Sequence, residues 1–290
     1  MTIAEFVYTV LLKPRPLRRA ANASIRALLP KSIRVGAATV WLNPDDPVVS
    51  GALAFGVYER GEIAFFRSQF GADMTLVDVG ANVGLYSAIA LSTPGFRGRV
   101  LAIEPHAESR LYLQKTMESN AAAASSAAQI CELAASDRPG TLTLYKNPEN
   151  KGDNRLYPDP LLHGEEKVGA DTLDNICRRG GIASVQFIKI DVQGAEAQVI
   201  RGATGLLAGS SNCILMTEFW PYGLSRCGAD GLEYLEMLRD LGFRLYELSG
   251  SRGLLAPVNS PRALVERTQG RSYANLVGLK GNLIPAEENR

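Results

Sequence analysis

From Thr75 to Gly84 the chain reads TLVDVGANVG, a β-branched, apolar run that stops directly in a turn punctuated by two glycines. A strand that ends this way and is followed by the helical stretch VGLYSAIALST opens a βαβ unit, which belongs in a parallel sheet covered by helices on both faces. In such a sheet ligands bind beyond the carboxyl ends of the strands, where the strand order reverses, and the first strand borders that crevice. Gly80 permits the tight turn, and Gly84 lets the next helix approach the strand closely.

The same alternation continues downstream. RVLAIEP reads as the second strand, AESRLYLQKTMESN as its helix and AQICELAAS as the third strand. GTLTLYKNPENKGDNRLYPDP mixes an extra strand with a polar loop, and DTLDNICRRGG is a short helix with Asp171 as a candidate N-cap. SVQFIKIDV and CILMTEF are the fourth and fifth strands, and LEYLEMLRDLG is an amphipathic helix closed by Gly242. FRLYELS and ANLVGLKG follow without a full crossover helix between them, which suggests a terminal antiparallel pair joined by a long loop. The spacing therefore predicts an α/β, Rossmann-like architecture: a mainly parallel sheet of seven strands with one antiparallel strand near its edge. Residues 71–290 form this domain, and residues 1–70 an accessory region with a basic helix, a short strand around RVGAATVWLNP and a lead-in helix, VYERGEIAFFRSQF.

Composition narrows the class of partner. A formal net charge of +1 gives no overall field for nucleic acid, and 46% hydrophobic with 21% charged residues excludes a disordered chain. The one charged patch runs from Lys13 to Arg34, with seven Lys and Arg and no acid, behind IAEFVYTVLL. That apolar stretch is too short to span a bilayer and, with Glu5 and no small-residue cleavage site, is unlike a secretory signal. A solvated basic helix packed on the domain is the favoured reading, and weak contact with a membrane surface or a partner the other. Cys131, Cys177, Cys213 and Cys227 are scattered and the histidines are His106 and His163 alone, a pattern that suggests neither disulfides nor a zinc site and fits a reducing cytoplasm. Oligomeric state leaves no mark on the sequence.

The glycine turn is not the dinucleotide fingerprint G-x-G-x-x-G, because Asn82 stands where the second glycine would admit a pyrophosphate. A ligand with an amino-acid head and a ribose has other needs. Asp78 can face its ammonium, the backbone of the Gly80–Gly84 turn its carboxylate, and Glu104, ending the next strand, its ribose hydroxyls. S-adenosyl-L-methionine meets all three demands.

With those residues in view, LVDVGANVG, AIEPH, LAASDRPGTLTLY, TLDNI and FIKIDVQGAEAQVIRGA occur in the order seen in the FkbM family of S-adenosylmethionine-dependent methyltransferases, which the chain resembles from Tyr58 to about Glu218. The resemblance implies a seven-stranded class I methyltransferase fold and methyl transfer to a hydroxyl of a sugar, glycolipid or secondary metabolite. It also implies cofactor contacts from Asp78, Gly80, Ala81, Asn82 and Gly84, from Glu104, and from the loop at Ser136 and Asp137. The family commonly has Asp-x-Glu-Gly where this chain has Asp191, Val192, Gln193 and Gly194, so a role that rests on a carboxylate at position 193 is lost or moved.

Methyl transfer to an alcohol requires a positioned acceptor and a group to take its proton. Asp191 closes the fourth strand and Glu218 the fifth, so the two can divide proton removal and acceptor positioning, with Asp191 favoured as base, or together hold a divalent cation. Asp191 can also cap the helix that begins near Gly194, with Glu196 in its first turn. Lys189, two residues before Asp191, shares its face and can pair with it. Phe219, Trp220 and Tyr222 can stack on an acceptor or simply pack. His106 should lie by the adenosine, as a rim residue rather than a base. His163 sits in a polar stretch suited to a lid. Two further readings are a cofactor-binding protein that has lost transfer activity and, more distantly, a nicotinamide-dependent oxidoreductase.

Overall fold

The computed structural model describes residues 26–121 and 128–284. The basic helix expected ahead of residue 26 and most of the alanine-rich segment after Asn120 lie outside them.

A hairpin of β1 (Ser32–Val35) and β2 (Ala38–Trp41) comes first, followed by helices α1 (Pro47–Ala54) and α2 (Arg60–Gln69). Asp46 starts α1 by accepting the Val49 amide at 3.1 Å, with Pro47 in the first turn, where its missing N–H costs nothing. The next elements are β3 (Thr75–Val79), α3 (Leu85–Leu91), β4 (Arg99–Ile103), α4 (Ala107–Asn120) and β5 (Ala128–Cys131). An excursion of β6 (Ala134–Ser136), β7 (Gly140–Tyr145), β8 (Glu165–Thr172) and α5 (Leu173–Arg179) leads to β9 (Phe187–Ile190), α6 (Glu196–Arg201) and α7 (Thr204–Gly209). The chain then runs through β10 (Cys213–Phe219), α8 (Pro221–Arg226), α9 (Gly231–Asp240), β11 (Phe243–Ser249), β12 (Leu254–Pro257), α10 (Pro261–Arg267) and β13 (Ala274–Lys280).

The main sheet has the order β12-β11-β13-β10-β9-β3-β4-β5. From β10 to β5 all neighbours are parallel, and β13 runs antiparallel to both β10 and β11. The expected seven strands and the terminal antiparallel pair are all present. An eighth, β12, pairs antiparallel with β11 at the edge, and with α10 it fills the long connection that the sequence left as a loop. The short LLAP carries no alternation to betray a strand, since it lies mostly exposed against one neighbour.

Two other differences are local. AQICELAAS breaks in two: β5 ends at Cys131, and Ala134–Ser136 joins a separate three-stranded sheet of order β6-β8-β7. The strand β8, EEKVGADT, went unread because it pairs only within this small sheet and is mostly polar. Asp171 does not cap α5. Thr172 does, its Oγ1 accepting the Asn175 amide at 3.2 Å, while Asp171 stays in β8 and is held by Asn175 and Arg179.

Apolar side chains cover both faces of the sheet. One face packs α5 to α9 around Val77, Ile188, Leu215 and Leu276. The other packs β2, α1, α2, α3 and α4 around Leu76, Val100, Phe187 and Ile214, so residues 38–70 complete the main core instead of standing apart from it. Phe66 sits at the centre of this face, with ring centroids 4.9 Å from Phe70, 5.3 Å from Tyr86 and 4.7 Å from Phe187. Phe66→Ala should therefore lower unfolding free energy by about 3–5 kcal/mol, read from urea unfolding; a loss under about 1 kcal/mol would mean that α2 is not integral to the core.

Among the described residues no helix is long and apolar enough to cross a membrane.

Candidate active site

The strand order turns at β3, whose neighbours are β4 on one side and β9 on the other. The crevice that opens there is lined by the turn after β3, the end of β4 and the end of β9. Gly80 is in the left-handed region at φ 77°, its N–H donating to the Ile103 carbonyl at 2.9 Å. A Cβ on Gly80 would stand 1.9 Å from the Asp191 carbonyl oxygen, so only glycine lets this turn lie against the end of β9. Ala81 and Asn82 complete the turn and also line the cleft.

Glu104 forms the opposite wall. Its Oε2 accepts the Asn82 amide at 2.9 Å and its Oε1 the His106 amide at 2.8 Å, which aims the carboxyl at the cleft, and burial pushes it up to about 7. Two polar atoms on the lining are buried without a partner in the protein: Asn82 Oδ1 and Asn154 Nδ2. An acceptor and a donor left open in this way fit a ligand that offers both kinds of group. Asn154 comes from the β7–β8 connection, which lies over the cleft with Lys151, Gly152 and Leu156 and is tied down by Arg155, paired to Asp153 at 2.7 Å and to Asp159 at 3.2 Å.

A second cleft adjoins the first, walled by Glu62, Met216, Thr217, Glu218, Tyr273 and Asn275. Both clefts share Glu59, Tyr86, Lys189 and Asp191. Lys189 Nζ donates to Asp191 Oδ2 at 3.2 Å, as its position in the strand implied, and Gln193 Nε2 donates to Asp191 Oδ1 at 2.8 Å. The Gln193 amide also lies 3.4 Å from Glu218 Oε2, so a neutral donor spans the two carboxyls where another carboxylate would repel both. Burial, reinforced by the Asp191 charge, raises Glu218 well above the usual carboxylate range.

Four expected cofactor contacts are not on the lining. Asp78 is fully buried beneath the turn, its Oδ2 accepting from the Ser87 hydroxyl at 2.8 Å and amide at 3.2 Å, which fastens α3 to β3, while its Oδ1 is buried without a partner in the protein. Gly84 faces α4, where a Cβ would come 2.6 Å from Leu113 Cδ1. Ser136 packs under α6, its carbonyl 1.9 Å from where a Cβ of Gly202 would lie, and Asp137 is half-buried between the Ser136 hydroxyl and Arg138; Ala134 and Ala135 line the cleft in their place.

Asp191 is not a helix cap, because Glu196 Oε1 takes the Val192 and Gly194 amides. Phe219 stacks on Tyr234 in the core and Trp220 is buried, so neither reaches a cleft, and Tyr222 lies beside Trp220 at 5.5 Å. His106 is buried at the start of α4, Nδ1 within 3.0 Å of Ser109 Oγ and away from both clefts, and His163 is exposed on the β7–β8 connection. Among the described residues no group of three or more His, Cys, Asp or Glu is placed to hold a metal ion.

Sequence reasoning missed Tyr58, Glu59 and Tyr86. Glu59 precedes α2 with φ 40°, a conformation rare for a residue with a side chain, and its Oε2 accepts the Tyr86 hydroxyl at 2.6 Å. Only the packing of α2 on the sheet brings it here, and no local pattern in VYERGE announces that.

The model of the methyltransferase FkbM domain matches residues 78–245, more than half of the chain. No curated protein matches. Among solved structures, the methyltransferase FkbM from Methylobacillus flagellatus is 15% identical with a TM-score of 0.47, covering 91% of this chain and 60% of that one, so the present chain spans less than two thirds of its length. The O-methyltransferase TomG from Streptomyces achromogenes, involved in tomaymycin synthesis and solved in complex with S-adenosylmethionine, is 12% identical with a TM-score of 0.41, covering 90% and 96%. A SAM-dependent methyltransferase from Aquifex aeolicus is 13% identical with a TM-score of 0.39, covering 89% and 97%. On the family match, the chain belongs to the FkbM methyltransferases.

Proposed function

We propose that this methyltransferase uses S-adenosyl-L-methionine to methylate a hydroxyl of a small molecule or glycan, such as a sugar, glycolipid or secondary metabolite. The observation that carries the reading is the meeting of two clefts at Glu59, Tyr86, Lys189 and Asp191: one suits a nucleoside with an amino-acid head, and the other has room for an acceptor.

The residues of the first cleft fit the cofactor. Glu104 presents a carboxyl for ribose hydroxyls, the turn at Gly80 to Asn82 offers backbone at close range, and Asn82 Oδ1 and Asn154 Nδ2 await an outside donor and acceptor. When bound, the cofactor supplies an electrophilic methyl group. Asn82, left-handed at φ 47°, occupies the place where a dinucleotide needs glycine, which supports the present reading over a nicotinamide enzyme.

The second cleft holds the acceptor hydroxyl, and Asp191 takes its proton as the oxygen gains the methyl. Lys189 and Gln193 fix the Asp191 carboxylate in orientation, and Glu218, raised well above the usual carboxylate range by burial, is placed to hydrogen-bond a second acceptor oxygen. We place the protein in the cytoplasm, in keeping with its four unpaired cysteines.

The test is incubation with S-adenosylmethionine carrying a deuterated methyl and a panel of methyl glycosides and hydroxylated polyketides. Mass spectrometry should find a labelled O-methyl product. Label transferred to carbon or nitrogen would overturn the hydroxyl assignment.

A further inference from the structure

Of the side chains shared by the two clefts, Lys189 and Asp191 neutralise one another, leaving Glu59 as the carboxyl with no ion pair among the described residues. It is fixed in place. Tyr86 OH donates to Oε2 at 2.6 Å, and Tyr86 is itself locked in the aromatic cluster of Phe66. The left-handed backbone at Glu59 turns this side chain into the junction between the clefts, and such a conformation persists only where packing imposes it.

We propose that Glu59 faces the transferring group and makes the site prefer a positively charged methyl donor to the neutral thioether left after transfer. The inference rests on the cofactor reading above. Transfer breaks the sulfur–methyl bond, leaving its electron pair on sulfur, forms the oxygen–methyl bond and moves the acceptor proton to Asp191. The positive charge opposite Glu59 disappears in that step, so the carboxylate holds the reactant and stops holding the product, which promotes release.

Around the junction, Glu59 and, on the far wall of the first cleft, Glu104 are the carboxyls that burial brings to about 7, and the Glu59→Gln variant separates their effects. From β9, Lys189 remains protonated and lowers the Glu59 carboxyl, while Asp191 raises it. From β10, burial raises the Glu218 carboxyl well above its usual range, and burial likewise raises the Tyr273 phenol ahead of β13. Tyr58 and Tyr86 are neutral phenols as well, Glu62 on α2 is raised by burial, and Lys151 stands across the first cleft. Burial brings Glu59 to about 7. It is therefore charged above neutrality and uncharged below, and the preference for a cationic donor should be present at alkaline pH and fade on acidification.

The experiment is calorimetric titration of the full chain with S-adenosylmethionine, S-adenosylhomocysteine and sinefungin, whose amine places a positive charge where the methylated sulfur stands. At about pH 8.5 the two cationic ligands should bind about tenfold more tightly than S-adenosylhomocysteine, and at about pH 6 the difference should shrink to about twofold. Glu59→Gln should bind all three with nearly equal affinity at both values. Tyr86→Phe keeps the carboxylate but removes the bond that stabilises its charged form, so the preference should survive with its midpoint moved to higher pH. Equal affinity for the three ligands in the wild type, or an undiminished preference in a folded Glu59→Gln variant, overturns the inference while leaving the cofactor reading intact. Failure of all three to bind overturns both.

Discussion

Gly80→Val is expected to weaken S-adenosylhomocysteine binding by at least about 100-fold, roughly 2.7 kcal/mol. The cause is steric and local. At φ 77° a β-branched residue is strained, and its Cβ would stand 1.9 Å from the Asp191 carbonyl oxygen and 3.5 Å from Val192 Cγ1. The turn must then lift away from β9, carrying Ala81 and Asn82 off the cleft wall and separating the Asn82 amide from Glu104. The variant also loses stability, so thermal unfolding has to accompany the titration. Gly84→Ala serves as the control: it meets Leu113 on α4 instead of the cleft, and should cost stability with little effect on affinity. A folded Gly80→Val protein with unchanged affinity would place the cofactor somewhere other than this turn.

Asp191→Asn should lower turnover by about 10²–10⁴-fold while leaving S-adenosylhomocysteine affinity within about threefold of wild type. The amide keeps the shape of the carboxylate and can still bond Gln193, but it takes no proton and no longer neutralises Lys189. The experiment needs the acceptor found in the glycoside and polyketide screen, with initial rates and calorimetry measured on the same preparation. A parallel collapse of rate and affinity would instead mean that Asp191 organises the cofactor cleft through its contact with the β3 turn, where its amide donates to the Val79 carbonyl at 3.0 Å.

How much of this could be read from the sequence follows from how far each feature depends on its neighbours along the chain. The central strands β3, β4, β9 and β10 are buried on both faces, so their apolar runs stand out, and each ends in a residue or turn that the fold then points into one crevice. The placement of Gly80, Glu104 and Asp191 at this crevice was legible for that reason. Asp78 stands off the cleft lining, because position at a strand end does not say which way a carboxyl turns; Ser87, in the first turn of α3, takes one of its two oxygens. Ser136 and Asp137 also stand off the lining, since the chain leaves the main sheet after Cys131 and β6 tucks under α6. Glu59 was invisible. It lies outside the matched family segment and reaches the site only because Phe65, Phe66 and Phe70 anchor α2 to the sheet. The aromatic run Phe219-Trp220 was ambiguous in sequence, and burial against Tyr234 decided it in favour of packing.

The most direct test of the central claim is calorimetric titration of the purified protein with S-adenosylhomocysteine, run beside NADH. The account predicts one site of micromolar affinity for the first and no measurable heat for the second, with the site lost in Gly80→Val. Binding of NADH, or silence with S-adenosylhomocysteine from a protein that unfolds cooperatively, would contradict the assignment of this cleft to the methyl donor.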